Sequence, residues 1–139
     1  AAEIAGLGMA SIYARTLKLR KKLIQEFPNH IDEYYINGHP EFCLPNLVSV
    51  SIKYIEGESM LLSLDMLGLA CSTGSACTSS SLEPSHVLLA IGLDHGPAHG
   101  SLRITLGRVT RESDIDYLLE KLPQVVRKLR EMSPLYEKK

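Results

Sequence analysis

The chain lacks an excess of charge of either sign. In 139 residues, 15 Lys and Arg stand against 16 Asp and Glu, a formal net charge of -1. That balance excludes a bulk electrostatic attraction to nucleic acid or to an anionic membrane surface. No apolar run approaches the roughly 20 residues that a membrane-spanning helix needs. The start carries no basic stretch followed by an apolar one, so a signal peptide is not expected either. Cysteine is sparse. Cys43, Cys71 and Cys77 are odd in number and too thinly spread for a disulfide framework, which makes a reducing cytoplasm the expected compartment. No internal repeat is present. An initiator methionine is missing too: the chain opens Ala1-Ala2-Glu3, which gives the expectation of a piece of something longer.

What is there is the composition of one folded domain. Hydrophobic residues make up 45% and charged residues 22%, too apolar for a disordered tail. Residues 2 to 27 read as a long helix, with Ile4, Gly8, Ile12, Leu19, Leu23 and Phe27 at helical spacing. Lys18, Arg20, Lys21 and Lys22 are expected on its solvated face, and Pro28-Asn29 is expected to end it. Tyr34-Tyr35-Ile36 reads as a short strand closed by Asn37-Gly38. From Leu47 to Tyr54 the alternation places Val48, Val50, Ile52 and Tyr54 on one face of a second strand. A helix carrying Met60, Leu61, Leu64 and Leu67 follows and stops at Gly68.

Leu69-Ala70-Cys71 reads as a short buried strand. Another helix is expected from Leu82 to Ile91, with Ser81 as its cap and Pro84 in its first turn. Gly92 to Gly100 reads as a turn-rich connection. Ser101 to Gly107 alternates again, with Leu102, Ile104 and Leu106 inward and Arg103 on the polar face. The last helix is expected after Thr110 as cap, with Ile115, Leu118, Leu122, Val125, Val126 and Leu129 buried and a kink at Pro123. Three or four strands with four helices predict an α+β domain, a small sheet packed with helices.

The residues that bear chemistry concentrate in one stretch. Ser72 to Ser81 holds nothing larger than Thr or Cys, so it reads as a mobile loop. Cys77 sits inside it with access and room, the requirements of a nucleophilic thiol. Ten extended residues reach roughly 30 Å, enough to act in one place and deliver in another. Composition alone leaves a plain surface thiol equally open. Cys71 reads as a small buried hydrophobe. The sharper alternative is a zinc site of Cys71, Cys77 and a histidine, which lacks the usual short ligand spacing. Cys43 is expected to be structural. Arg103 is either a surface or salt-bridging arginine or a planar fork that grips a carboxylate, with Arg108 the weaker candidate. His95 and His99, flanking Gly96-Pro97, are expected to be hydrogen-bonding loop residues.

Taken together, these stretches resemble a family. Ser75-Ala76-Cys77-Thr78-Ser79, then Leu82-Glu83-Pro84-Ser85-His86-Val87, then Ala98 to Arg108 are similar to the cysteine desulfurases, and His86 and Gly100 resemble their NifS-like branch. Pro45-Asn46, Gly57-Glu58-Ser59 and the closing Ser133-Pro134-Leu135-Tyr136 fit as well, so the resemblance covers essentially all 139 residues. These are pyridoxal-phosphate enzymes of the class V aminotransferase group that mobilise sulfur for iron–sulfur cluster assembly. Residues 1–139 resemble only their smaller, largely C-terminal domain, with a small, mainly antiparallel sheet packed with helices.

The resemblance implies that Cys77 is the nucleophile. It takes sulfur from L-cysteine as a persulfide, leaves alanine, and passes the sulfur to a scaffold or other acceptor thiol. Arg103 matches the arginine that binds the substrate carboxylate. The family's homodimer rests mainly on its large domain.

The departures from the family pattern are as informative. The Schiff-base lysine of the family lies in a Ser-x-His-Lys segment, and no lysine here follows a histidine. The family's ring-stacking histidine and its aspartate facing the cofactor nitrogen have no counterpart. Ser49 stands where many relatives carry Asn, and Cys71 where many carry a smaller or aliphatic residue. The expectation is therefore a domain that carries the sulfur-accepting thiol and the carboxylate clamp but does not itself hold pyridoxal phosphate, and so is inactive alone. The alternatives are a non-catalytic sulfur-carrier or protein-binding module, or selenocysteine lyase activity in the complete protein.

Overall fold

Helix α1 (Ala2–His30) opens the computed structural model, which describes residues 2–74 and 83–136. Pro28 lies inside this helix instead of ending it. Residue 28 forgoes one backbone hydrogen bond, but Ile31 N–H still reaches the Phe27 carbonyl at 3.1 Å. The basic face is not wholly solvated either. Arg20 is buried, its Nε donating to the Leu47 carbonyl at 2.9 Å, and Lys22 pairs with Glu112 and Asp116. The cause is packing: this side of α1 lies against strand and helix.

Strands β1 (Tyr34–Ile36), β2 (Leu47–Ile52) and β3 (Ser101–Thr105) form one antiparallel sheet in the order β1-β2-β3. The register sets Ile36 opposite Val50 and Val50 opposite Leu102, so the alternating apolar residues share a face. Val48, Val50, Ile52, Leu102 and Ile104 are all buried there. Tyr54 does not continue that face. It is half-exposed in a turn with φ at +69°, after Lys53 N–H has bonded the Glu33 carbonyl at 2.9 Å.

Helix α2 (Gly57–Asp65) buries Met60 and Leu64, while Leu67 lies beyond its end and is exposed. Gly68, at φ +77°, lets the chain reverse so that Leu69 N–H bonds the Leu64 carbonyl at 3.0 Å. Leu69-Ala70-Cys71 is not a strand. Leu69 and Cys71 pack partly against the core and Ala70 is exposed; only the next residue, Ser72, pairs with β3.

The expected helix from Leu82 is shorter, α3 (His86–Ala90), beginning two residues after Pro84. Ser85 accepts the first helical bond through its carbonyl, from Leu89 N–H at 3.0 Å. Ser81 and Leu82 lie outside the described residues. His95 and His99 belong not to an open loop but to a short helix, α4 (His95–His99), packed against β2.

Helix α5 (Glu112–Met132) carries the strongest apolar stripe, with Ile115, Leu118, Leu122, Val125 and Val126 buried. Thr110 is not its cap. The Thr110 hydroxyl accepts from Gly107 N–H at 2.8 Å, and the Asp114 carboxylate accepts from Arg111 N–H at 2.8 Å. The helix runs on through Pro123. It packs against both α1 and α2, which closes a core that also contains Leu19, Leu23 and Phe27. Among the described residues, no helix is long and apolar enough to cross a membrane.

Candidate functional site

β3 lies at one edge of the sheet, and among the described residues its outer side pairs with Ser72. The two backbones exchange both bonds: Ser72 N–H to the Arg103 carbonyl at 3.2 Å, and Arg103 N–H to the Ser72 carbonyl at 2.6 Å. Arg103 projects from the polar face of β3 into solvent, as its place in the alternation predicts. Its Nε donates to the Ser72 hydroxyl at 3.1 Å. The Nη1 and Nη2 groups make no hydrogen bond or ion pair with any described residue. Other arginines are committed: Arg15 to the Arg108 and Thr110 carbonyls, Arg20 to Leu47, and Arg130 to Asp32. Arg103 instead offers the paired donors that match a carboxylate.

Two residues further on, the chain is seated closely. Gly74 N–H donates to the hydroxyl of Ser101, a residue 2% exposed, at 3.1 Å. A methyl group on Gly74 would meet that hydroxyl at 2.8 Å and Leu88 Cδ1 at 3.0 Å. Gly57, the first residue of α2, is equally tight, since a Cβ there would lie 2.8 Å from the Ser101 carbonyl and 2.9 Å from that of His99. Residues 72–74 are thereby fixed between β3, α2 and α3, immediately before the stretch that holds Cys77. Cys77 itself lies outside the described residues.

The other thiols are accounted for separately. Cys71 is half-buried against the core, and burial pushes its thiol pKa up, which keeps it protonated and weakly nucleophilic. Cys43, expected to be structural, lies at the surface. It is exposed, with Sγ 3.5 Å from the Glu41 carbonyl and 3.6 Å from that of Pro40. Among the described residues, no group of three His, Cys, Asp or Glu is arranged to hold a metal ion. An open cavity of about 790 Å³ is lined by Tyr54, Pro97, His99, Met132 and Leu135 among others; Arg103 is not part of it.

The six described lysines are either charge-paired or exposed. Lys22 is raised in pKa by its hydrogen bonds to Asp116 and Glu112, Lys53 by Glu33, and Lys121 by Glu120, so all three are held as ammonium ions. Lys18, Lys21 and Lys128 are exposed. Two members of the arrangement, Ser72 and Ser101, were not singled out by the sequence. Each looks like one more small residue, and only a pairing between distant segments reveals its place.

The family model described as "Aminotransferase class-V" matches residues 1–118. The chain is 53% identical over 138 residues to cysteine desulfurase IscS 1 of Archaeoglobus fulgidus, covering 99% of this chain and 36% of that protein. It is 51% identical over 144 residues to cysteine desulfurase IscS of Methanosarcina thermophila, covering 97% and 35%. It thus spans about a third of the length of these curated relatives. Among solved structures, a NifS-like protein superposes with a TM-score of 0.76 at 31% identity, covering 91% of this chain and 31% of the other. A NifS-like protein from Rickettsia africae, at a TM-score of 0.71 and 23% identity over 83% of this chain and 29% of its own, shares the fold. With most of its length matched by the family model, the chain belongs to the class-V aminotransferase family.

Proposed function

We propose that this chain is the sulfur-accepting small domain of a cysteine desulfurase. The observation that carries the reading is the guanidinium fork of Arg103, without a partner among the described residues at its Nη end and bonded to Ser72, five residues before Cys77 in sequence. A substrate carboxylate seated on that fork is proposed to present an amino acid to Cys77. The identity to proteins described as cysteine desulfurases supports the same assignment.

The step assigned to the chain is thiolate attack by Cys77 on the sulfur of L-cysteine. The substrate carbon–sulfur bond breaks, a sulfur–sulfur bond forms on Cys77, and the substrate carbon takes a proton to leave as alanine. The thiol sulfur is oxidised and the carbon reduced, so no further oxidant enters. The persulfide then passes to an acceptor thiol, in the resemblance's terms that of an iron–sulfur scaffold or another sulfur-acceptor protein. Activation of the carbon–sulfur bond is assigned to pyridoxal phosphate on a separate large domain, because the described lysines here are charge-paired or exposed. A homodimer and a cytoplasmic setting belong to the same proposal.

The test is alanine release from L-cysteine by this chain alone, with pyridoxal phosphate added. Background release is expected, rising to turnover only when a cofactor-binding domain is supplied. Sustained turnover by the chain alone would overturn the division of labour.

A further inference from the structure

We infer that Ser72 is a positioning residue for the Arg103 fork, presetting it for a substrate carboxylate. The inference rests on the reading of Arg103 as the carboxylate clamp. A guanidinium has five N–H donors, and which edge it shows to a ligand depends on what holds the others. The Ser72 hydroxyl takes the Nε–H, at 3.1 Å, and leaves the Nη1–Nη2 edge without a partner among the described residues. That hydroxyl is itself fixed, because the Ser72 and Arg103 backbones bond each other in both directions. In such an antiparallel pair the two side chains stand on the same side of the sheet, so hydroxyl and guanidinium meet without strain.

The neighbour on the other flank points the same way. Ser49 on β2 is in register with Arg103, and its hydroxyl already accepts from Asn37 Nδ2 at 3.1 Å. Arg103 therefore stands between two serines, and neither flank brings a carboxylate that would neutralise it. Presetting matters because a free arginine side chain must surrender several rotatable bonds when it grips a ligand. The same serine begins the segment that Gly74 anchors to Ser101, so the clamp and residues 72–74 share one base on β3.

The test compares Ser72→Thr with Ser72→Val, which match in shape and differ only in the hydroxyl, with Ser72→Ala as a third variant should Val disturb the pairing. In the chain itself, the Arg103 Nε–H signal in a nitrogen-15 spectrum should be protected from solvent exchange. Thr should keep that protection, and Val and Ala should lose it. In the holoenzyme, Val and Ala should raise the KM for L-cysteine about tenfold with kcat changed less than about twofold, and Thr should restore it, the pattern of lost ground-state binding. Arg103→Ala, run alongside, separates the two claims. If it leaves KM unchanged, the clamp reading fails. If it raises KM strongly while Val and Ala leave both KM and Nε–H protection as they were, the clamp stands and the role of Ser72 is overturned.

Discussion

Gly100 has no room for a methyl group. A Cβ at this position would stand 2.0 Å from the Ile52 carbonyl oxygen and 3.0 Å from that of Ile55. The backbone there enters β3, and its own carbonyl accepts from Ile52 N–H at 2.9 Å, so the two strands meet backbone to backbone. Gly100→Ala must push β2 and β3 apart, and a loss of roughly 2–4 kcal/mol is expected in urea unfolding. Gly96→Ala, which meets nothing within 4 Å, is the control and should change little. A Gly100→Ala variant as stable as the control would contradict the packing described. At this scale the sequence was informative where a residue type carries its own reason. Arg103 was placed on a polar face by alternation alone, and the structure has it there. Ser72 and Arg20 were not legible, because their surroundings come from segments far away in the chain. Arg20 meets Leu47 and Ser72 meets Arg103, separations of 27 and 31 residues that no local pattern encodes.

The end of α5 shows what one element can tie together. Arg130 is 5% exposed; its Nη1 pairs with the Asp32 carboxylate, its Nη2 donates to the Asp32 and Glu33 carbonyls at 2.8 and 3.3 Å, and its Nε reaches the Lys53 carbonyl at 3.3 Å. The guanidinium also lies 5.4 Å from the Tyr136 ring centroid, a cation–π distance. One side chain thus fastens α5 to the entry of β1 and to the turn after β2. Arg130→Met keeps the apolar stem but removes the bonds to Asp32, Glu33 and Lys53 that join the three segments. A destabilisation of roughly 2–4 kcal/mol by chemical denaturation is expected, and less than about 0.5 kcal/mol would contradict the role. Most elements were legible from period and punctuation: α1, β1, β2, α2, β3 and α5 all lie where alternation or helical spacing put them. Several errors fall at ends, while α4 stands where a turn-rich connection was expected. Pro28 sits within the last turn of α1, where one forgone bond is tolerable, and Thr110 bonds its own turn while Asp114 closes α5. Residues 69–71 have strand composition but no free partner strand until Ser72.

For the whole molecule, the near-neutral charge and the α+β architecture agree with a domain whose proposed chemistry is local to Cys77 and Arg103, not spread over a charged surface. The sheet and the helices that cover it form a packed frame that presents Arg103, and the candidate nucleophile follows Gly74 by three residues in sequence. The candidate site was readable in part because its motif joins two unlike signals, a run of small residues around a thiol and an arginine on an alternating strand. What was not readable was the pairing of residue 72 with β3, which brings the Ser72 hydroxyl to Arg103. The chain spans about a third of the relatives' length, and the proposal assigns the cofactor chemistry to a separate domain. The central claim is that sulfur is accepted on Cys77. Its most direct test is to give the complete enzyme L-cysteine with labelled sulfur and locate the label by peptide mass analysis. The label is expected on the peptide holding Cys77, and Cys77→Ala should abolish it while cofactor binding survives. Undiminished sulfur transfer by Cys77→Ala would contradict the account.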